Sequence, residues 1–151
     1  IAQFKFQGDP GWAATLAALV RQVPGTEAAL AAADWVLPVP LARDRLRERG
    51  FNQALQLAHQ LAPHKTQAQW LLRVRSTPVQ HTLPRAQRLR NLAGAFAIEP
   101  LRQQQMAGGR AVLVDDVMTT GATLQAAAAA LRAVGVVHTT ALCIARTPVR
   151  N

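Results

Sequence analysis

The stretch that decides the fold reads Ala111-Val-Leu-Val-Asp-Asp-Val-Met-Thr-Thr-Gly-Ala-Thr-Leu124. Its apolar run, residues 111–114, predicts a buried strand that ends in two adjacent carboxylates, Asp115 and Asp116. A turn of hydroxyl and glycine residues follows, and an Ala/Leu pattern then predicts a helix. This order of strand, acidic pair, turn and helix supplies the parts that a protein needs to hold a sugar phosphate.

The turn is suited to an anion because successive backbone N–H groups and the positive end of a helix dipole attract phosphate. Glycine at Gly121 lets the backbone approach the anion closely, and threonine hydroxyls can donate further hydrogen bonds. The expected phosphate-binding residues are Thr119, Thr120, Gly121, Ala122 and Thr123. The two carboxylates can accept hydrogen bonds from ribose hydroxyls. A strand ending in Asp before a Thr-Gly turn is common by itself, so it is the complete order that carries the specificity.

Length and composition indicate one compact domain over residues 1–151, which we expect to be a fragment of a longer protein because it opens on Ile1. Hydrophobic residues make up 50% and charged residues 17%, which argues against disorder. No apolar run reaches the length of a membrane span, and no signal-peptide pattern is present. The single Cys143 fits a reducing cytoplasm, and we expect a buried structural thiol rather than a nucleophile.

The charge is strongly positive, with 17 basic against 8 acidic residues and a formal net charge of +9. Such an excess favours polyanionic partners or substrates. Two clusters carry much of it, and we expect both in loops: Arg43, Arg45, Arg47 and Arg49 in the first, and Arg85, Arg88 and Arg90 in the second. The alternative is an ordinary solvated surface rich in arginine.

Strand and helix patterns alternate along the chain, which predicts an α/β fold with a mostly parallel central sheet flanked by helices. Ligands of such sheets bind outside the carboxyl ends of the strands, where Asp115 and Asp116 are expected. The predicted strands are residues 35–39, 70–75, 95–98, 111–114 and 136–145. One predicted helix ends near Val23, a second begins at about Thr26, and two more span residues 52–61 and 123–134. A long basic loop is expected over residues 76–94.

Three blocks carry a resemblance to a known family: residues 39–53, residues 80–96 and the acidic block at 111–124. The acidic block resembles the 5-phosphoribosyl-1-pyrophosphate (PRPP) motif of type I phosphoribosyltransferases. Together the blocks resemble the ComF family, also called GntX-like, of competence-associated bacterial proteins, over nearly the whole chain. Members of that family commonly carry an N-terminal zinc-binding segment, which this sequence lacks, so zinc binding is not expected here.

The resemblance implies a type I phosphoribosyltransferase-like domain that binds PRPP, or another ribose 5-phosphate ligand, with Mg²⁺ held through PRPP rather than by protein side chains. It implies that Asp115 and Asp116 hold the ribose hydroxyls, that residues 119–123 hold the 5-phosphate and that residues 40–45 contact pyrophosphate. Residues 80–91 would match a closing loop, whose arginines would neutralise departing pyrophosphate. The expected catalytic residues are Asp115, Asp116 and Arg88.

Two functions remain open. One is transfer of phosphoribosyl to an unknown acceptor; the other is a competence-associated accessory role, in which the basic clusters bind single-stranded DNA during uptake. Relatives in purine salvage have an acidic residue in the phosphate loop where this chain has Thr119, so no general base for a purine is evident. Partners from the competence machinery would fit the second function.

Overall fold

The computed structural model describes residues 11–75 and 84–147. The helices among them are α1 (Trp12–Arg21), α2 (Thr26–Ala32), α3 (Arg43–Arg49), α4 (Gln53–Leu61), α5 (Arg85–Leu92), α6 (Gln103–Met106) and α7 (Ala122–Ala133), with a 3₁₀ turn at Pro100–Arg102. The strands are β1 (Trp35–Pro38), β2 (Leu71–Arg73), β3 (Phe96–Ile98), β4 (Arg110–Met118) and β5 (His138–Arg146). Over these described ranges, no helix has the length and apolar character that crossing a membrane requires.

The central sheet has the order β1-β4-β5, and both of its strand pairings are parallel. Val36 of β1 lies opposite Val112 of β4, and Val112 lies opposite Thr140 of β5. Strands β2 and β3 form a separate antiparallel pair. The α/β class and the mainly parallel sheet predicted from the sequence are confirmed.

Each face of the central sheet is covered, because the residues of β4 alternate between two apolar cores. Val112 and Val114 pack with α1, α2 and α4, in a cluster that includes Leu16 and Leu57. Ala111 and Leu113 pack on the other face with α7 and the β2–β3 pair. Burial on both faces explains why residues 111–114 read as a continuous apolar run rather than as an alternating one.

The spacing of apolar residues predicts an inner face of α1 made of Leu16, Leu19, Val20 and Val23, and an inner face of α4 made of Leu55, Ala58 and Leu61. Both predictions were partly wrong. Leu19 and Val23 are 55% and 57% exposed, because α1 ends at Arg21 and turns Ala13 and Ala17 toward the sheet with Leu16 and Val20. Small alanine side chains let the helix approach closely, a contribution that a pattern of large apolar residues does not reveal. In α4 the predicted Ala58 and Leu61 are buried together with Leu57, whereas the predicted Leu55 is only half-buried.

Both arginine clusters were expected in loops, and the structure corrects this. The first forms α3, which ends at Gly50 in a left-handed conformation with φ of +76°. The second lies on α5, which begins directly after Pro84. Arginine is a good helix former, and a following glycine or a preceding proline marks helix ends. Residues 76–83 of the expected loop lie outside the described residues.

We expect Gly109→Ala to lower the free energy of unfolding by roughly 1–3 kcal/mol, the usual cost of overpacking a core. A Cβ at Gly109 would lie 2.2 Å from Cζ3 of Trp35. The Trp35 ring cannot move away freely, since it packs against Trp70 with ring centroids 5.8 Å apart. Urea denaturation measures the effect. Gly108→Ala is the control: its φ of +79° strains alanine, but nothing lies within 4 Å. An unchanged stability for Gly109→Ala would contradict this packing.

Candidate functional site

The acidic pair lies inside β4 rather than after it, because pairing with β5 continues from Asp115 opposite Cys143 to Met118 opposite Arg146. Strand β1 ends earlier, at Pro38 opposite Val114, and its last link to β4 is the 2.9 Å hydrogen bond from Val39 N–H to the Val114 carbonyl. Residues 115–118 therefore border an opening at the carboxyl end of the sheet, which is where ligands bind in parallel α/β folds.

The two carboxylates point to opposite faces of the sheet, as consecutive residues of a strand must. Asp115 shares a face with Leu113 and faces β2 and β3, whereas Asp116 shares a face with Val114 and faces α4. Each is oriented by a backbone N–H: Asp115 Oδ1 accepts from Asp116 at 2.9 Å, and Asp116 Oδ1 accepts from Val117 at 2.7 Å. A carboxylate has capacity for several such bonds, so this orientation is compatible with accepting from ligand hydroxyls.

The turn after β4 presents an open helix N-terminus. Gly121 is the N-cap residue of α7 and has a φ of +77°, which favours glycine. The Ala122 N–H makes only a long 3.4 Å bond to Thr120 Oγ1, and the N–H groups of Thr123 and Leu124 have no partner within the described ranges. A twelve-residue helix with unsatisfied N–H groups at its start attracts an anion.

Arg73, at the end of β2, is a site residue that the sequence analysis missed. Burial is the main cause that lowers the pKa of its guanidinium, the positive charge of Arg45 lowers that pKa further, and the negative charge of Asp115 opposes both. These three charges therefore belong to one electrostatic environment. The Arg73 guanidinium also lies 5.5 Å from the centroid of the Phe96 ring. The available signal was an arginine within an otherwise apolar strand, Trp70-Leu-Leu-Arg-Val74.

The predicted arginines divide between two helices. Arg45 lies on α3 and shares the environment of Asp115, as just described. Arg88 and Arg90 lie on α5, which packs against α7, the helix that begins after the turn at residues 119–121. Arg88 is half-buried, and its Nε has no hydrogen-bond partner among the residues described. Arg88 is thus placed beside the helix of the turn, and its catalytic role stays a prediction.

The segment between β1 and α4, which contains the residues 40–45 predicted to contact pyrophosphate, is fixed at both ends. Val39 is tied to β4, as described above, and its carbonyl accepts a 3.1 Å hydrogen bond from Asn52 Nδ2. Asn52 also caps α4, because its Oδ1 accepts from the Ala54 N–H at 3.0 Å. An asparagine directly before an apolar helical pattern predicts such a cap, which the structure confirms. The start of α4 therefore lies beside the carboxyl ends of β1 and β4.

Cys143 is not the fully buried thiol expected from the sequence. It is half-buried on β5, which pairs only with β4 in the part of the sheet described. Burial is the first cause that raises the pKa of the thiol, and the charge of Asp115 raises it further; a backbone hydrogen bond to Met118 and the charge of Arg146 oppose them.

We expect Asp115→Asn to speed alkylation of Cys143 severalfold near pH 8. Removing a negative charge that raises the thiol pKa increases the thiolate fraction, and the thiolate is the reactive form. The rate of iodoacetamide modification, followed by mass spectrometry from pH 7 to 10, measures the shift. Glu27→Gln, an exposed carboxylate on α2, is the control and should leave the rate unchanged. An unaltered pH profile in Asp115→Asn would show that the two groups do not interact.

A second concavity lies at the other end of the sheet, where the Trp70 ring contacts Trp35 at the start of β1. This cleft has a volume of about 470 Å³ and is lined by residues 67–70, Glu99, Leu101 and Arg102. The Arg102 guanidinium lies 5.2 Å from the centroid of the Trp70 ring. Trp35 lies at the start of β1, at the opposite end of the sheet from the acidic pair, so this cleft is a competing location for a ligand.

Comparison with known families agrees with this geometry. Residues 46–150 match the model of the phosphoribosyl transferase domain. The chain therefore belongs to the phosphoribosyltransferase domain family, as the resemblance implied.

Within that class, the chain is similar to DNA utilization protein YhgH and to competence protein F, which supports the resemblance to ComF proteins. It is 36% identical to YhgH of Salmonella typhi over 155 aligned residues, covering 97% of this chain and 66% of that protein. It is also 36% identical to competence protein F of Haemophilus influenzae over 149 residues, covering 90% of this chain and 62% of that protein. The chain thus spans somewhat less than two thirds of the length of these relatives.

Proposed function

We propose that this domain binds PRPP together with Mg²⁺ at the carboxyl end of β4. The observation that carries the proposal is the run from Asp115 to Leu124, in which two oriented carboxylates lead through Gly121 into an open helix N-terminus. The carboxylates are suited to ribose hydroxyls and the turn to a phosphate, and the spacing between them is one short loop. The arginine at position 73 adds positive charge beside Asp115.

The chemistry that this site would support is phosphoribosyl transfer to an acceptor. The bond between C1 of the ribose and pyrophosphate breaks, the electron pair leaves with pyrophosphate, and the acceptor forms the new bond to C1. Arg45 and Arg73 would stabilise the charge that develops on the leaving group, while Asp115 and Asp116 hold the ribose. Arg88 would contribute from α5. No acceptor-binding group is assigned.

Magnesium fits this site as a companion of the ligand. Mg²⁺ prefers oxygen ligands and keeps several waters. The pyrophosphate and ribose oxygens of PRPP can therefore supply most of the coordination that water does not. Among the residues described, His, Cys, Asp and Glu nowhere gather in a group of three or more that could hold a metal ion. We propose that the oxygens of the ligand hold Mg²⁺ and that the carboxylates of Asp115 and Asp116 orient the ribose.

Isothermal titration calorimetry with PRPP, in the presence and absence of Mg²⁺, tests the proposal. We expect saturable binding of one PRPP per chain that is tighter with Mg²⁺, and competition by ribose 5-phosphate. A release assay for pyrophosphate on the same sample separates a binding domain from an enzyme. Absence of PRPP binding at millimolar ligand with Mg²⁺ would refute the proposed function.

A second candidate function is handling of single-stranded DNA, and the names of the relatives favour it. Those relatives are named for DNA utilization and competence. The chain carries a net charge of +9. Seven of its arginines are concentrated on two helices, α3 and α5. A positive surface of this kind attracts nucleic-acid phosphates without reading sequence. This function is compatible with PRPP binding.

We expect single-stranded DNA to bind weakly, without sequence preference and with a strong dependence on salt. Each phosphate neutralised contributes a slope of about −0.7 in a plot of log affinity against log salt. Replacing Arg85, Arg88 and Arg90 by Ala should therefore flatten the slope by about two units. Fluorescence anisotropy with a labelled oligonucleotide, from low to high salt, measures it.

The matched control removes three arginines at the other end of the sheet: Arg102, Arg110 and Arg132, all exposed. It changes the net charge equally and should alter the slope much less. Equal effects of both triple variants would indicate attraction by net charge alone. If the α5 variant keeps its DNA slope but loses affinity for pyrophosphate, those arginines serve the PRPP site and not DNA.

A further inference from the structure

Gln53 is a buried polar side chain that the fold itself does not explain, and both polar atoms of its amide lack a partner among the residues described. It is the first residue of α4 and is only 1% exposed. Neither its Oε1 nor its Nε2 has a hydrogen-bond partner within residues 11–75 and 84–147. Burying an amide without partners costs free energy, and an apolar side chain of the same size would avoid that cost. A buried amide that carries this cost therefore requires an explanation outside core packing.

The position of Gln53 follows from its neighbours. Asn52 donates to the carbonyl of Val39, and the Val39 N–H donates to the carbonyl of Val114. These two bonds link the start of α4 to Val114, which lies two residues before Asp116 on β4. Gln53 thus lies at the carboxyl end of the sheet, on the side of the opening described above.

The spacing along α4 and β4 sets the level of Gln53. Gln53, Leu57 and Leu61 are four residues apart and form one buried row of α4. That row packs on the face of β4 that carries Val112, Val114 and Asp116. Four helical residues rise about 6 Å and two strand residues about 6.6 Å. Successive residues of the α4 row therefore lie at nearly the same heights as successive residues of the β4 row. Leu57 and Leu61 pack with Val112 and Val114. Gln53, one step nearer the carboxyl end of the sheet, therefore lies at the height of Asp116.

We propose that Gln53 is a ribose-binding residue that acts beside Asp116 and selects a ligand with a hydroxyl at that place. The inference rests on the proposed binding of a ribose 5-phosphate ligand. A hydroxyl both donates and accepts, and an amide offers one acceptor and two donors. A ribose hydroxyl can therefore donate to Asp116 while it accepts from Gln53 Nε2. The amide that lacks a partner in the protein gains one when the sugar binds.

Calorimetry on Gln53→Leu, with ribose 5-phosphate and with inorganic phosphate as separate ligands, tests the proposal. Ribose 5-phosphate should bind at least tenfold more weakly, because the lost bond lies at the sugar. Inorganic phosphate should bind as in the wild-type chain, because it needs only the turn at 119–123. Urea unfolding should show a midpoint no lower than that of the wild type, since leucine removes a buried amide without partners. Gln60→Leu, an exposed glutamine on the same helix, is the matched control and should bind ribose 5-phosphate normally.

A wild-type chain that binds ribose 5-phosphate while Gln53→Leu binds it equally well would overturn the role of Gln53 and leave the proposed function intact. A wild-type chain that binds neither ligand would overturn both. Should Gln53→Leu fail to fold, the ¹⁵N side-chain resonance of Gln53 in the wild-type chain decides. We expect that resonance to shift with ribose 5-phosphate and not with inorganic phosphate, and an unmoved resonance at saturation would overturn the proposal.

Discussion

Asp115→Asn combined with Asp116→Asn should weaken binding of PRPP with Mg²⁺ by at least tenfold. Each carboxylate accepts a hydrogen bond from a backbone N–H, and in the proposed complex each would also accept one from a ribose hydroxyl. A charge-assisted hydrogen bond contributes roughly 1.5–3 kcal/mol, and 1.4 kcal/mol corresponds to about a tenfold change in affinity. Calorimetry on the folded double variant measures the loss.

The direction of this effect distinguishes it from a simple charge effect. The double variant is more positive by two charges, which alone would strengthen binding of a highly negative ligand. Glu27→Gln with Glu48→Gln is the control, because it makes the same charge change at two exposed carboxylates. The control should bind PRPP at least as well as the wild-type chain. Wild-type affinity in the aspartate variant would show that the ribose binds elsewhere.

Gly121→Val should abolish measurable binding of the 5-phosphate while the protein stays folded. Gly121 has a φ of +77°, which a β-branched residue adopts only with strain of about 1–2 kcal/mol. A Cβ there would meet only Met118 Sδ, at 3.6 Å, so the core can accept it. The remaining valine atoms would occupy the space through which the anion approaches the N–H groups of α7. Titration with ribose 5-phosphate, alongside a circular dichroism spectrum, measures both consequences.

Gly108→Val separates the loss of binding from the backbone strain. Gly108 has a nearly identical φ of +79° and lies before β4, at the opposite end of that strand. Its variant should lose similar stability and keep its affinity for ribose 5-phosphate. Normal phosphate affinity in a folded Gly121→Val would mean that the phosphate lies outside the turn.

The features that the sequence predicted correctly depend on short, local patterns. The apolar run before Asp115 and the Ala/Leu spacing after Gly121 predicted β4 and α7 to within a few residues, because both elements are buried against the sheet. The cap at Asn52 was correct for the same reason, since its bond to Ala54 spans two residues. Alternation of such elements was sufficient to predict the parallel α/β sheet.

The features that were missed depend on contacts between distant parts of the chain. Asp115 and Asp116 were expected beyond the strand, but pairing with β5 extends β4 past them. Arg73 was overlooked because its proximity to Asp115 and Arg45 arises only when β2 packs over the sheet. The burial of Gln53 likewise depends on α4 lying against β4, and an isolated glutamine at a helix start carries no such signal.

The prediction that both arginine clusters lie in loops was wrong for a different reason. Charged residues without an apolar stripe resemble a loop when hydrophobic periodicity is the criterion, and α3 has no buried residue at all. The helix-forming tendency of arginine and the terminal Gly50 were better guides than the periodicity. On a helix, these arginines are attached to the backbone at regular intervals, which the DNA-binding proposal requires.

In the proposed complex, a ribose 5-phosphate ligand binds across the acidic pair and the turn that follows it. Two-dimensional ¹H–¹⁵N NMR during titration with ribose 5-phosphate tests the location most directly. We predict that the largest saturable shifts of backbone amides fall at residues 115–124, with Gly121 and Thr123 among them. The largest shifts at the cleft of residues 67–70, Glu99 and Arg102, with residues 115–124 unmoved at saturation, would contradict the account.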